Sequence, residues 1–257
     1  MNNDDNWIPY TLGTVIEFNQ KETVSFSGYN NHFSKSDNDH YRFQMTGTIE
    51  ASGNIQSLLN FSDITYQVAF DQLFVSCVSL VDASKLQLSA SKLANYCYNF
   101  MFSNCRYLSA APALPATSLA VACYNGMFNR CLALSTAPAL PASTLADGCY
   151  AHMFINCSSL QSAPALPANT LAKWCYTAMF ANCTSLTSAP LLPATTLAPS
   201  CYYQMFADCI NLTSINVSFT DWTDTATQDW VSGVAANGTF TCPAALDTTT
   251  KDASHVP

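Results

Sequence analysis

The chain has 257 residues, 49% of them hydrophobic, enough for a substantial core, yet only 10% are Asp, Glu, Lys or Arg, where about a quarter is usual for a soluble domain. Its formal net charge of −8 argues against nucleic acid or an anionic membrane surface as partner. No stretch of the sequence is an apolar run long enough for a membrane-inserted helix.

The start, Met1-Asn2-Asn3-Asp4-Asp5-Asn6-Trp7, has neither the basic end nor the apolar core of a signal peptide. An export signal is therefore expected either to have been removed or not to be used. Residues 1–60 read as a β-rich N-terminal cap. Residues 14–18, 23–28 and 41–49 alternate apolar and polar side chains like half-buried strands. They are expected to form a small antiparallel unit over the apolar end of the region C-terminal to them. Residues 30–40, rich in Asn, Ser and Asp, read as a loop. Within it Asp37-Asn38-Asp39 suggests calcium, but no Gly and distal Glu come after it at the required spacing, so a solvated turn is expected. Residues 51–59 bridge into the central region.

Residues 61–217 are organised by one phrase, Cys-Tyr-x-x-Met-Phe-x-x-Cys-x-x-Leu. It begins at Cys97, Cys123, Cys149, Cys175 and Cys201, a constant step of 26 residues. A worn copy precedes these, with Ala69, Phe70, Leu73, Phe74, Cys77 and Leu80 in the fixed positions. A period of this length marks a stacked repeat, and terminal copies diverge because they cap the stack. Leu119, Ala120, Cys123, Met127 and Cys131 fall on one stripe at 3.6 residues per turn, which predicts a helix of about three turns. Thr117, Ser143, Asn169 and Thr195 supply N-cap residue types for it. Leu134-x-x-Ala137-Pro138-x-Leu140-Pro141 predicts an extended segment and a corner, because two prolines exclude helix there. The fold class is therefore an α/β repeat solenoid of about six rungs rising about 5 Å each. Residues 218–257 close the other end as a C-terminal cap and polar tail. Trp222 and Trp230 are expected as lids, and Gly238-Thr239-Phe240-Thr241 as a short closing strand. Residues 247–254 are polar and expected to be mobile.

The unit resembles the leucine-rich repeats of the BspA-like class of bacterial surface proteins, whose phrase is Ala-Phe-x-x-Cys-x-x-Leu-x-x-Ile-x-Ile-Pro. Met127-Phe128-x-x-Cys131-x-x-Leu134-x-x-Ala137-Pro138-x-Leu140-Pro141 fills that frame. The departures are an extra Pro and residue in the strand, and Ala-Cys-Tyr where the family usually carries Ile-Gly. The resemblance implies a right-handed leucine-rich-repeat stack, display on a cell surface or secretion, and adhesion to a protein or glycan on a host or neighbouring cell.

Twelve cysteines suggest a disulfide framework by count. The two in a unit are eight residues apart, about 12 Å on a helix, which is too far to bridge. Free buried thiols serving as small core residues are expected, ahead of disulfides between units and of metal. No cofactor is implied. No Ser/His/Asp order, phosphate loop or zinc helix occurs, and His32, His40, His152 and His255 are scattered. The chain is thus not expected to be an enzyme, and its function must lie on its surfaces.

Two surfaces present candidates. Between the Leu and Ala of each strand segment stand Ser109, Ser135 and Thr136, Gln161 and Ser162, Thr187 and Ser188, and Thr213 and Ser214. They form a ladder suited to a glycan or extended peptide, or simply a solvated strand face. The tyrosines after each first Cys (Tyr98, Tyr124, Tyr150, Tyr176, Tyr202) either pack as a spine or offer a stacking surface. Positions that differ between copies include Tyr96, Asn99, Phe100, Arg106, Tyr107, Arg130, His152, Lys173, Trp174, Tyr203 and Gln204. Among these Phe100, Trp174 and Tyr203 are large groups suited to binding. The expected functions are a surface-displayed recognition module, a fibre or decoration protein of a phage virion, or a glycan-binding module.

Overall fold

The computed structural model describes residues 15–17, 19, 22–28, 41–59, 64, 66–90, 92–222 and 224–249. The predicted loop at 30–40 and the acidic triplet within it lie outside these residues, as do His32, His40 and His255.

Copies of the repeat lie side by side, but the phrase that anchors them is not a helix. In the copy containing Cys97, alternate amides leave the copy altogether. The N–H groups of Tyr98, Phe100, Phe102 and Asn104 donate to the carbonyls of Cys123, Asn125, Met127 and Asn129 in the next copy, at 2.6–3.0 Å. The intervening N–H groups, of Cys97, Asn99, Met101, Ser103 and Cys105, donate three residues back, to Ala94, Tyr96, Tyr98, Phe100 and Phe102, at 3.0–3.3 Å. The segment is thus a chain of overlapping β-turns along the backbone and a one-way ladder across copies. Each of these amides has a partner, as burial of the backbone requires.

Every second turn needs a left-handed third residue. The positions are Tyr96, Phe100 and Asn104, with φ of 57°, 49° and 62°. The same positions recur in later copies: Ala122, Gly126 and Arg130; Gly148, His152 and Asn156; Trp174, Ala178 and Asn182; and Ser200, Gln204 and Asp208.

The predicted three-turn helix is corrected for a physical reason. The buried residues come in doublets four apart, Cys97-Tyr98, then Met101-Phe102, then Cys105, all 0% exposed. A helix turns neighbouring side chains about 100° apart and cannot bury both members of every doublet on one face. Turns with a four-residue period can. Reading only Cys, Met and Cys imitates a helical stripe. The α part of the expected fold class is correspondingly absent from the repeats. Among the described residues the one α-helix is α1, Asp224–Thr227, with a 3-10 turn at Ile55–Leu58. Thr117, Ser143 and Asn169 do not cap helices. They precede a second ladder of parallel bridges, Lys92 to Ser118 to Thr144 to Thr170, and Thr195 lies in a bend.

The extended segment predicted after each Leu is present as a third ladder. It is seen in the parallel bridges of Asp82 with Ala110, Thr136 with Ser162, and Ser188 with Ser214. It is regular enough to count as strands only near the ends. There β1 (Ile49–Asn54) pairs parallel with β2 (Leu80–Gln87), and β3 (Ser214–Asn216) pairs parallel with β4 (Thr239–Thr241).

This one-way course also corrects the N-terminal expectation. β1 is parallel to β2, and residues 22–28 and 41–46 hold no strand. Residues 15–17 are exposed and hold no strand, and residues 14 and 18 lie outside the described residues. The 41–54 region instead joins the stack. Phe43 N–H donates to the Leu73 carbonyl, and its ring stacks on Phe74 at 5.3 Å. A segment running the same way as its neighbour can extend the ladder, whereas a hairpin would reverse it.

At the other end the rung pattern continues past Val217, where the sequence repeat fades. Tyr202, Gln204, Phe206 and Asp208 donate N–H bonds to the carbonyls of Ala226, Gln228, Trp230 and Ser232. Left-handed residues recur four apart at Asp229 and Gly233. Gly238 passes so close to the previous rung that an added Cβ would lie 2.3 Å from the Thr213 carbonyl oxygen. Asp247, placed in the expected mobile tail, is held instead by Trp222, whose Nε1–H donates to its carbonyl at 2.6 Å.

The core is a set of columns. Tyr98, Tyr124, Tyr150, Tyr176 and Tyr202 stack at 5.7–6.1 Å and within 9° of parallel. Phe74, Phe102, Phe128, Phe154, Phe180 and Phe206 stack at 5.4–5.7 Å. Each such pair contributes about 0.5–1.5 kcal/mol beyond burial. The tyrosines are 0–1% exposed, so their row is packing and not a surface for a partner. Trp230, itself 0% exposed, closes both columns, 6.3 Å from Tyr202 and 6.2 Å from Phe206, with Trp222 beside it.

Two glycine substitutions separate backbone strain from crowding. At Gly148 a Cβ meets nothing within 4 Å, so Gly148→Ala should destabilise by only about 1 kcal/mol, the left-handed penalty. At Gly126 the Cβ would lie 2.2 Å from the Phe100 ring. Gly126→Ala should therefore cost clearly more than Gly148→Ala in denaturant unfolding, and Phe100→Ala should restore the difference.

Candidate functional site

Because inward doublets alternate with outward ones, the turn ribbon presents an outer wall of side chains. Its backbone is fully engaged, so only side chains are offered. Where small residues occupy adjacent copies the wall recedes. Ala122, Gly148, Ala151 and Ser200 floor a groove of 560 Å³, and Trp174, Tyr203, His152, Asn125, Thr177, Thr225 and Gln228 complete its lining. Trp174 is 46% exposed although it holds the left-handed position taken by Gly148 and Ser200 in the copies on either side. The Lys173 ammonium sits 3.7 Å from its ring centroid, a cation–π contact that steadies the indole.

A chain of side-chain hydrogen bonds runs along the wall into this groove. Asn99 Nδ2 donates to Asp71 Oδ1 at 3.0 Å, and Asn125 Nδ2 donates to Asn99 Oδ1 at 2.7 Å. Asn125 Oδ1 then meets His152 Nδ1 at 3.1 Å. Since Asn125 Oδ1 can only accept, His152 Nδ1 carries the proton and Nε2 is left as an acceptor. Burial holds the imidazole below its ordinary pKa, so it is neutral at pH 7 and this tautomer persists.

A second, smaller notch of 270 Å³ lies farther along the ribbon, between Arg106, Arg130, Asn156 and Asn182. Arg106 Nε donates to Asn104 Oδ1 at 3.0 Å.

The residues singled out in the sequence divide among three places. Trp174 and Tyr203 share the groove. Phe100 does not line it and lies against Gly126 one copy on. Ser109, Thr136, Gln161, Ser162, Thr187, Ser188, Thr213 and Ser214 are exposed and Ser135 half-buried, on the separate strand segment. In that row Ser109 Oγ and Thr213 Oγ1 donate to the carbonyls of Val81 and Thr187 in the preceding rung, so these hydroxyls tie rungs together. Asn125, Thr177 and Gln228 were not among the candidates. The repeated Asn at 99 and 125 was the available signal for the side-chain ladder, whereas Gln228 belongs to a rung whose sequence has lost the phrase.

All twelve cysteines are free, and eleven are buried. Those closing each phrase donate Sγ–H to a carbonyl of the preceding copy. Cys105 reaches Phe74, Cys131 Phe102, Cys157 Phe128, Cys183 Phe154 and Cys209 Phe180, at 3.0–3.2 Å. Burial pushes these thiols up, Cys105, Cys157 and Cys209 to about 12, and likewise Cys97, Cys149 and Cys201 in the other column. Such thiols are poor nucleophiles. Among the described residues no three His, Cys, Asp or Glu side chains group as metal ligands.

No protein-family model and no curated protein matches the chain. Among solved structures it is similar to a leucine-rich repeat protein from Bacteroides ovatus ATCC 8483, at 15% identity and a TM-score of 0.21. The likeness covers 67% of this chain and 62% of that one; the chain thus spans under two thirds of the length of the structure it matches.

The raised thiols have two measurable consequences. In native buffer a disulfide-exchange reagent should modify Cys242, the one partly buried cysteine, and leave the others untouched until the chain unfolds, when all twelve should react. Above about pH 8.5 an unfolded chain releases thiol protons that the folded chain retains. Stability should therefore be level through neutral pH and fall as pH rises toward 12, by about 1.4 kcal/mol per pH unit for each buried thiol, giving cooperative alkaline unfolding.

Proposed function

We propose that the chain is a non-enzymatic recognition module of the leucine-rich-repeat type, similar to the BspA-like class. In this reading about six rungs wind right-handed, the protein is secreted or displayed on a cell surface, and it binds a protein or glycan of another cell. The binding face is the turn ribbon, and its centre is the groove between Trp174 and Tyr203.

One observation carries this reading. A 46%-exposed indole stands at a left-handed position where the copies on either side hold Gly148 and Ser200. A large aromatic group at such a position is conformationally unfavourable and adds no core burial, while exposed Trp and Tyr are the groups that dominate recognition surfaces. The hydroxyl row on the strand segment is the weaker candidate, because three of its members, Ser109, Ser188 and Thr213, are turned onto carbonyls.

The test is binding of the full chain to a panel of immobilised extracellular-matrix proteins and to a glycan array. At least one partner should be retained. Trp174→Gly should weaken it tenfold or more, about 1.4 kcal/mol, without lowering the unfolding midpoint. Thr136→Ala with Thr187→Ala should leave it within about twofold. Loss of binding in the hydroxyl variant with retention in Trp174→Gly would place recognition on the other face.

A further inference from the structure

We infer that the groove at Trp174 and Tyr203 seats a neutral sugar ring of an oligosaccharide, hydrogen-bonded through His152 and Gln228. This rests on the recognition reading and names the chemistry of its ligand.

Charge is the first reason. The protein carries −8 overall, yet no residue lining the groove is Asp, Glu, Lys or Arg, and its one titratable imidazole is held neutral by burial. A cationic ligand would meet no opposite charge there, and an anionic one only the Lys173 ammonium, which is already engaged over the Trp174 ring.

The second reason is the state of the backbone. The carbonyls and amides of the ribbon are consumed by the turns and the inter-copy ladder. An extended peptide therefore finds no free edge on which to add as a strand.

The third reason is the mixture of groups in one place. Trp174 and Tyr203 supply flat apolar faces against a floor of small residues, which suits the C–H face of a pyranose. The hydrogen-bonded Asp71–Asn99–Asn125 series fixes the His152 tautomer, giving an acceptor at Nε2. Gln228 and the Tyr203 hydroxyl add donors and acceptors. Sugar hydroxyls donate and accept together and satisfy such a set, whereas the apolar face of a helix would leave it unpaired. Asn125 is in this scheme a positioning residue, acting through the imidazole.

The variants that test this are already represented in the fold. Gly148 stands at the position of Trp174, and Ala178 at that of His152, so Trp174→Gly and His152→Ala are expected to fold; retained protection of the buried thiols verifies it. Titration calorimetry would use the full chain with maltohexaose, cellohexaose, xylohexaose and mannohexaose, and with hyaluronan and heparin fragments as anionic counterparts. The expected result is binding of at least one neutral oligosaccharide, weakened tenfold or more in each variant. Binding of the anionic fragments alone, or neutral binding indifferent to both substitutions, overturns the inference. Binding of a matrix protein that depends on Trp174, with no saccharide bound, overturns the sugar assignment and leaves the recognition reading standing. Absence of any partner on either panel overturns both.

Discussion

The structure depends on a hydrogen-bond ladder that points one way. In each copy alternate N–H groups of the turn ribbon donate to carbonyls of the next copy, and the intervening ones close turns within their own. This division explains the strict period, because an amide that must meet the same carbonyl one rung on tolerates no insertion within the ribbon. It also explains the ends. The last full copy aims four amides outward, and the segment at 226–232 receives them with backbone carbonyls alone. Any sequence that adopts the same turns can do this. Only Ala226, Thr227, Trp230 and Val231, buried at 0%, must still fill the columns.

The ladder sets the surface as well. Turns that alternate in type place left-handed residues in columns four apart, some of them exposed, as at Tyr96 and Trp174, and others buried, as at Val68 and Ala178. Asn suits them at 104, 156 and 182 because its short amide tolerates that region. Trp174, Tyr96 and Val68 have no such excuse. With the backbone already committed, substitution on the exposed members of these columns, such as Trp174, changes the surface, whereas at Gly126 the Phe100 ring leaves no room for one. A shallow groove then arises wherever small residues fall in consecutive copies, as at Ala122 and Gly148. The surface varies with the differences between copies, and stability rests on their sameness.

Much of this was legible in the sequence. The step of 26 residues, the inward set of Cys, Met, Phe and Leu, and the closing tryptophans follow from the phrase and from hydropathy. The ribbon was not, because every fourth residue of a doublet pattern also fits a helical stripe. The test that separates them is whether the neighbour of each inward residue is apolar too, and Tyr98 and Phe102 answer it. The parallel pairing of β1 was hidden because alternation marks a strand without giving its direction. The groove was hidden for a different reason. Trp174 and Tyr203 stood out as large groups at variable positions, but the floor comes from separate copies and forms no contiguous motif. The hydrogen-bond chain from Asp71 to His152 likewise exists only once the copies are stacked.

The most direct test of the account reads the hydrogen bonds themselves. Scalar couplings across hydrogen bonds, measured by NMR on isotope-labelled protein, should connect the Tyr124 amide nitrogen to the Cys149 carbonyl carbon, and Tyr150 to Cys175. Couplings from Tyr124 to Ala120 instead, four residues back in the same copy, would mean that the phrase is helical and that the ladder does not exist.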